Sequence, residues 1–249
     1  MKDFVNVGLL GAGTVGGGVL KVLEKNAEKI AKEAGKPVRI TKVLDRHVDR
    51  LKQEYGDKYI FTDNADEVLE DKDIDIIVEL LGREHPAKEF IARAFANGKH
   101  VVTANKDVLA KFGAELFPLA HEHNCDFMFE ASVCGGIPII GPLKTSMAAN
   151  QITSIMGIVN GTTNFMLTKM VRENLGFDEA LKIAQELGYA ETKDPGDDVD
   201  GRDACRKIAI LSSLVCGHQI YPQNIPTRGI RDITVADVAA AERLNCVIK

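Results

Sequence analysis

An aspartate and a lysine placed four residues apart, Asp203 and Lys207, are the pair in this sequence best suited to move a proton. Helical periodicity runs from Gly201 to Cys216, so both side chains lie on one helix face. Ile210 and Leu214 continue that line, and an apolar continuation favours a face turned inward or towards a cleft. Burial lowers the pKa of a lysine, which suits it to proton transfer. A solvent-exposed ion pair is the alternative, and periodicity alone does not decide.

A glycine-rich turn near the N-terminus has the spacing of a phosphate-binding loop. It follows an apolar run and precedes a helical stretch. In such a loop Gly11 makes the tight turn, Gly13 lets the backbone approach a pyrophosphate, and Gly16 allows close helix–strand packing. Because strand, loop, helix and second strand are all present, the pattern predicts a dinucleotide site. Its predicted loop residues are Gly11, Gly13, Thr14, Val15 and Gly16.

The residues after the second apolar run bear on which dinucleotide is bound. An acidic ribose ligand usually follows the loop by about 20 residues, whereas Asp45 lies 29 residues after Gly16 because the intervening helix is long. Asp45 can hold a ribose 2′-hydroxyl and so favour NAD, and Arg46 can instead meet the 2′-phosphate of NADP. Both can also be solvated loop charges. The sequence predicts a nicotinamide dinucleotide and leaves NAD and NADP open.

Further charged residues lie at the ends of predicted elements. Lys106 follows a strand, and in an open α/β sheet that edge lines the ligand crevice; an ordinary exposed lysine is the alternative. Glu191 precedes a cluster of acids, Asp194, Asp197, Asp198 and Asp200. The cluster lacks the 12-residue spacing of a calcium loop, so we predict a solvated turn for most of it.

The elements that would position these residues alternate between strand and helix in the first half of the chain. Alternation of this kind predicts βαβ units and a parallel, doubly wound sheet. The predicted strands are 4–10, 38–44, 74–81, 99–103 and 126–130, and the predicted helices are 16–34, 87–97 and 108–123.

Near residue 130 the pattern changes, and a glycine- and proline-rich stretch predicts a domain boundary within 131–150. We therefore predict two domains, 1–130 and 131–249. The second domain is predicted to have a strand at 152–159, helices at 162–173, 178–187, 201–216 and 234–244, and a final strand beginning near Cys246.

Composition restricts the classes of protein that the chain can belong to. Of its 249 residues, 45% are hydrophobic and 27% are charged, which excludes disorder. The net charge of −5 argues against nucleic acid or an anionic membrane as the partner. No apolar stretch is long enough to span a bilayer, and no targeting segment is evident, so we expect a cytoplasmic protein.

Cysteines and histidines do not form a recognisable metal site. The five cysteines form no Cys-x-x-Cys pair, so we expect reduced and mostly buried thiols. His121 and His123 are two residues apart and would face different directions on a helix. The sequence therefore predicts no transition-metal site.

Taken together, several segments resemble the homoserine dehydrogenase family. They are GLLGAGTVG, VVTANKDVLA, FEASVCGGIPII, GIVNGTTNFML and ELGYAETKDPGDDVDGRDACRKIAIL, and they occur in the family's order over nearly the whole chain. The resemblance implies a Rossmann-type, doubly wound parallel sheet followed by an α/β catalytic and dimerisation domain. It also implies interconversion of L-homoserine and L-aspartate 4-semialdehyde with NAD or NADP, in threonine and methionine biosynthesis, by a homodimer.

The same resemblance implies roles for individual residues. Lys207 is the implied general acid/base and Lys106 a second catalytic lysine beside the nicotinamide. Asp203 and Glu191 are implied to bind homoserine, and Gly188 to contact the cofactor. A sodium ion is implied at Glu130 and the backbone carbonyls of Val133, Gly135 and Ile137, which suits a hard cation; a glycine-rich hinge without an ion is the alternative.

Two departures from the family pattern affect these expectations. The AETKDP segment is one residue longer than the usual A-E-x-D-P, which loosens the placement of Glu191. Family members also continue past the end of this chain, so the resemblance implies an N-terminal portion of a longer enzyme. The alternatives are another semialdehyde or amino-acid dehydrogenase, a non-catalytic dinucleotide-binding module, and an inactive fragment.

Overall fold

The computed structural model describes residues 2–249 and divides the chain into two units. The first ends at Pro142 and the second begins at Leu143. This division lies inside the glycine- and proline-rich segment 131–150, where the sequence predicts a boundary.

The first unit is built on one parallel sheet of six strands, in the order β3-β2-β1-β4-β5-β6. The doubly wound sheet expected from the sequence is confirmed, and the reversal of strand order falls between β1 and β4. The strands are β1 Val5–Leu10, β2 Val38–Leu44, β3 Ile60–Thr62, β4 Ile76–Glu79, β5 His100–Thr103 and β6 Phe127–Met128.

Helices connect these strands. They are α1 Thr14–Lys25, α2 Ala27–Ala34, α3 Val48–Tyr55, α4 Asp66–Leu69, α5 Ala87–Ala96 and α6 Lys106–Glu122, with α7 Ile140–Lys144 at the division between the units. Short 3-10 turns cover Gly56–Lys58 and Glu130–Ser132.

Two features of this unit differ from the sequence-based expectation. The single helix predicted over 16–34 is two helices, because Asn26 leaves helical geometry (φ −114°, ψ 20°) and separates α1 from α2. The strand β3 and the helices α3 and α4 are not among the predicted elements. A three-residue edge strand and a four-residue helix are too short to show a periodic pattern.

The core of the first unit explains why the first strand is so apolar. Leu9 of β1 is fully buried and packs in one cluster with Val43 of β2, Leu20 of α1 and Leu51 of α3. A parallel sheet is covered by helices on both faces, so its strands are apolar runs and do not alternate.

The second unit consists of helices. They are α8 Gly161–Glu173, α9 Phe177–Glu186, α10 Gly196–Val199, α11 Arg202–Cys216 and α12 Val235–Arg243, with a 3-10 turn at Pro222–Asn224. Met166 and Met170 of α8 pack against Ala180 and Ala184 of α9 and against Val199 of α10. Small alanines on α9 let the two helices approach closely.

The strand predicted at 152–159 is wrong for this structure, since residues 151–160 carry no regular secondary structure. A strand requires a neighbour for its backbone hydrogen bonds, and within the described part of the second unit there is none. Residues 246–249, predicted as a strand beginning, are likewise irregular.

The cysteines are less buried than expected. Only Cys205 is buried, Cys125 and Cys134 are partly buried, and Cys216 and Cys246 are exposed. All five are free thiols. No helix within residues 2–249 is long and apolar enough to cross a membrane.

Two glycines of α1 should respond to alanine substitution in opposite ways. A Cβ at Gly16 would lie 2.0 Å from the carbonyl oxygen of Gly11, so the backbone must shift, whereas a Cβ at Gly18 meets no atom within 4 Å. Gly16→Ala is expected to lower the free energy of unfolding by about 1–3 kcal/mol. Gly18→Ala, its matched control, is expected to raise it by about 0.5–1 kcal/mol because alanine favours a helix.

Thermal and urea unfolding of the two variants beside the unaltered chain measures both effects. Equal stability of the Gly16 and Gly18 variants would contradict the close approach of α1 to the loop.

Candidate active site

The glycine loop of the first unit has the shape that its sequence predicts. Gly11 has a φ of +94°, which only glycine adopts readily, and a Cβ there would lie 2.9 Å from the carbonyl oxygen of Leu80. Gly16 packs against the carbonyl of Gly11, as described above. A Cβ at Gly13 would meet no atom within 4 Å, so the space above its backbone is open to a ligand.

The N-terminus of α1 points its backbone towards that open space. Gly13 is the N-cap and offers no side chain to the N–H groups of the first turn, and no acidic residue lies in that turn. Thr14 and Val15 are exposed. Uncapped N–H groups at the positive end of a helix dipole attract an anion. These residues therefore fit the pyrophosphate of a dinucleotide.

Asp45 is tied to the loop by its side chain. Its carboxylate accepts hydrogen bonds from the backbone N–H of Ala12 (2.9 Å), from the backbone N–H of His47 (2.9 Å) and from the His47 ring (3.2 Å). Partial burial opposes ionisation, but these hydrogen bonds outweigh it and hold the pKa of Asp45 below its ordinary value. Much of its hydrogen-bonding capacity is thus used within the chain.

A cluster of basic side chains follows Asp45 around an open cavity of about 630 Å³. Arg46, His47, Arg50 and Lys52 line it, together with the carboxylates of Asp49, Asp63 and Glu67. Arg46 is a sequence-predicted residue of this region, whereas Arg50, in the first turn of α3, is not. Its closeness to Arg46 in the sequence was the available signal.

Lys106 lies at the sheet edge, as the first residue of α6. The preceding residue, Asn105, is the N-cap and accepts a hydrogen bond from the backbone N–H of Val108 (3.2 Å). The Asn105 amide also donates to the carbonyl oxygen of Arg83 (2.8 Å), which links the loops after β5 and β4. The cap therefore fixes the start of α6 at the sheet edge, and with it the position of Lys106. Lys106 is partly buried.

In the second unit, Asp203 and Lys207 form an ion pair on α11. The carboxylate Oδ2 lies 2.7 Å from Lys207 Nζ, and the two side chains are 9% and 17% exposed. Lys207 Nζ also donates to the carbonyl oxygen of Val159 at 2.7 Å. The pair is therefore held on an inward-facing helix face and not on the solvated surface.

Asn160 places a second carboxylate beside this pair. Its Nδ2 donates to Asp198 Oδ1 (2.7 Å) and to Asp203 Oδ2 (2.9 Å). Its Oδ1 caps α8 by accepting from the backbone N–H of Thr163 (2.8 Å). Asn160 is absent from the sequence-predicted site. Asp198 belongs to the acidic cluster, for most of which the sequence predicts a solvated turn, but it is itself partly buried and hydrogen-bonded to Asn160.

Glu191 and Gly188 lie on the turn after α9, outside the hydrogen-bonded group of Asn160. Glu191 is exposed, and its backbone carbonyl accepts from the side chain of Gln185 (3.0 Å). Gly188 has a φ of +78° and ends α9 with an N–H bond to Gln185. Helices commonly end at a residue in the left-handed conformation, which glycine adopts readily. The end of α9 is therefore enough to explain a glycine at position 188.

The segment around Glu130 is organised by that carboxylate. It accepts from the backbone N–H groups of Ile139 (2.6 Å), Ile140 (2.8 Å) and Gly141 (2.7 Å). Partial burial opposes ionisation, but the three bonds keep the pKa of Glu130 below its ordinary value. Val133 is buried, whereas Gly135 and Ile137 are exposed in the turn between. Within residues 2–249 no cluster of three or more His, Cys, Asp or Glu side chains is arranged to hold a metal.

Two protein-family models match consecutive parts of the chain. Residues 11–130 match the NAD binding domain of homoserine dehydrogenase, and residues 138–249 match the model described as homoserine dehydrogenase.

Individual proteins agree with this result. The homoserine dehydrogenase of Bacillus subtilis is 43% identical over 245 residues, which cover 98% of this chain and 56% of that protein. The crystal structure of a homoserine dehydrogenase from Thiobacillus denitrificans superposes with a TM-score of 0.94 at 45% identity, over 99% of this chain and 57% of that one. A putative homoserine dehydrogenase from Archaeoglobus fulgidus gives a TM-score of 0.86 at 34% identity, over 96% and 77%.

The chain thus spans slightly more than half the length of the Bacillus subtilis and Thiobacillus denitrificans proteins and about three quarters of the archaeal one. The matches to both family models, the sequence identity of 34–45% over nearly the whole chain and the shared fold show that this chain belongs to the homoserine dehydrogenase family.

Proposed function

We propose that this chain provides the dinucleotide-binding and catalytic residues for the interconversion of L-homoserine and L-aspartate 4-semialdehyde. The observation that carries the proposal is the Asp203–Lys207 pair, with Asp203 buried and Lys207 partly buried, which Asn160 joins to a second carboxylate. An ammonium group held beside carboxylates suits a substrate that bears both an amino group and an oxygen that gains or loses a proton.

Residues 1–130 are the proposed dinucleotide-binding domain. The bound nicotinamide would accept or donate the hydride. Gly11, Gly13, Thr14, Val15 and Gly16 would hold the pyrophosphate through the backbone, as the open space above Gly13 allows. Lys106 would act beside the reacting groups as a second catalytic lysine, and Gly188 would contact the cofactor.

Residues 131–249 are the proposed homoserine-binding domain. Lys207 would give a proton to the carbonyl oxygen of the semialdehyde, or take one from the hydroxyl of homoserine in the oxidative direction. Its contacts with Asp203 and the Val159 carbonyl hold Nζ in one place for this transfer. Asp203 and Glu191 would bind the ammonium and hydroxyl groups of homoserine, and the exposed Glu191 has room to do so.

The basic cluster after β2 favours NADP over NAD. Asp45, the acidic candidate for a ribose contact, already accepts three hydrogen bonds from Ala12 and His47. Arg46 and Arg50 offer guanidinium groups to a 2′-phosphate at the adjoining cavity. A hyperthermophilic archaeal homoserine dehydrogenase mutant, 29% identical to this chain at a TM-score of 0.80, has been solved in complex with NADPH.

Two further properties belong to the proposal. A sodium ion would be held mainly by the backbone carbonyls of Val133, Gly135 and Ile137, because three N–H groups already engage the Glu130 carboxylate. Oxygen ligands on a bending loop suit a hard cation. A homodimer is the proposed assembly.

Substitution of Lys207 tests the proton transfer. Lys207→Ala is expected to lower the rate of homoserine-dependent NADPH formation, followed at 340 nm, by about 10²-fold or more, with little change in the Kd for NADP⁺. Lys182→Ala is the matched control, because Lys182 is an exposed helical lysine with an i,i+4 glutamate.

A near-full rate for the Lys207 variant would remove this residue from the role. A well-folded unaltered chain that binds cofactor but gives no absorbance change with homoserine would favour the non-catalytic alternative for this chain.

Substitution of Arg46 tests the cofactor preference. Arg46→Ala is expected to raise the Kd of NADPH about tenfold or more and to leave the Kd of NADH nearly unchanged, because only NADPH carries the 2′-phosphate. Quenching or enhancement of nicotinamide fluorescence measures both constants. The control is Lys29→Ala on α2, which removes an exposed charge elsewhere in the same unit; equal losses for NADPH and NADH would rule out phosphate recognition by Arg46.

A further inference from the structure

The first unit buries a carboxylate that the function proposed above does not use. Glu79 is the last residue of β4 and its exposed fraction is 0%. Its Oε1 accepts from the backbone N–H of Leu81 and its Oε2 from the hydroxyl of Thr103, each at 2.7 Å. The sequence patterns place this residue inside a predicted strand and indicate no chemistry for it.

The two groups that are hydrogen-bonded to this carboxylate, the Leu81 N–H and the Thr103 hydroxyl, are both donors. The Thr103 hydroxyl already accepts from the backbone N–H of Asn105 (2.9 Å), so its own proton is directed to Glu79. The nearby Asn105 side chain also favours the ionised carboxylate. Burial is the larger effect and raises the pKa of Glu79, whereas these donors favour the ionised carboxylate and oppose that rise.

The charge has no cationic partner of its own. In the described chain, residues 2–249, no Lys, Arg or His is hydrogen-bonded or ion-paired to Glu79. A buried carboxylate without a counter-charge is costly for folding. An ionised group retained at such a cost is typical of a binding site.

The position of Glu79 indicates which ligand would supply the counter-charge. β4 pairs with β1 at the point where the strand order reverses, and Glu79 pairs with Leu10, directly before the glycine loop. In such sheets a dinucleotide crosses the carboxyl edge at this point, one mononucleotide on either side. Asp45 and Arg46 at the end of β2 mark the adenosine side, so the ends of β4 and β5 belong to the nicotinamide side.

We propose that Glu79 is the counter-charge for the oxidised nicotinamide ring and makes the site distinguish the oxidised cofactor from the reduced one. The ring is positively charged when oxidised and neutral when reduced, and the surrounding apolar sheet screens the attraction poorly. The inference rests on the dinucleotide site of the proposed function. A purely structural role, in which Glu79 only ties β4 to β5, would weaken both forms of the cofactor equally.

The test is the ratio of two dissociation constants. Kd values for NAD⁺ and NADH are measured by calorimetry on the unaltered chain and on Glu79→Gln, which keeps the shape and removes the charge. The Kd of NAD⁺ is expected to rise relative to that of NADH by about tenfold. Thr103→Val is the matched control, because it breaks the same β4–β5 hydrogen bond and keeps the carboxylate. Measured at high pH, where the carboxylate stays ionised without the hydroxyl, it should change both constants by a similar factor.

A pH series on the unaltered chain gives the same answer without a variant, should Glu79→Gln fail to fold. The groups that face the carboxylate from β1, β5 and the adjoining loops, namely Leu10, Thr103, Leu81 and Asn105, have no titrating side chain. NAD⁺ and NADH lack the 2′-phosphate monoester, so it does not titrate either. As the pH falls through the raised pKa of Glu79, the preference for NAD⁺ should decline towards the ratio seen with glutamine.

The outcomes separate this inference from the function on which it rests. A Kd ratio that changes by less than about twofold in the variant, or does not vary with pH, overturns the role of Glu79 while leaving the dinucleotide site in place. An unaltered chain that binds none of NAD⁺, NADH, NADP⁺ and NADPH overturns the proposed function itself.

Discussion

One amide group, the Nδ2 of Asn160, holds the acidic part of the second unit together. It donates to Asp198 on α10 and to Asp203 on α11, and Asp203 in turn engages Lys207. Two carboxylates that share a donor repel each other, so their proximity requires this donor and the lysine ammonium together. The carbonyl at the other end of the same amide caps α8. The Asn160 side chain therefore both caps α8 and positions the two carboxylates.

In the first unit the candidate site depends on positions without side chains. Gly11 and Gly16 let β1, the loop and α1 approach one another more closely than any other residue would allow. The polar groups then gather at the carboxyl ends of β2, β4 and β5, where a parallel sheet leaves a crevice. The sheet thus fixes the places from which Asp45, Glu79 and Asn105 act.

Local patterns predicted much of this fold, and interactions distant in sequence account for what they missed. β1 is a mostly apolar run and α11 has clear periodicity, so these elements and the Asp203–Lys207 pairing followed from short-range rules. Asn160 lies 38 residues from Asp198 and 43 from Asp203, and Glu79 lies 24 from Thr103. No local pattern reports contacts of that kind. The strand predicted at 152–159 failed for a related reason, because strand formation depends on a neighbour that periodicity does not reveal.

The hydrogen bond from the backbone of Ala12 to Asp45 has a consequence for how tightly a nucleotide can bind. It joins the middle of the glycine loop to the end of β2, and so restrains the shape of the loop. A flexible loop of small residues would have to be ordered at the moment of binding, and the lost conformational entropy would weaken the complex. In this chain the loop loses that entropy when the protein folds, because the Asp45 side chain already restrains it in the absence of a ligand.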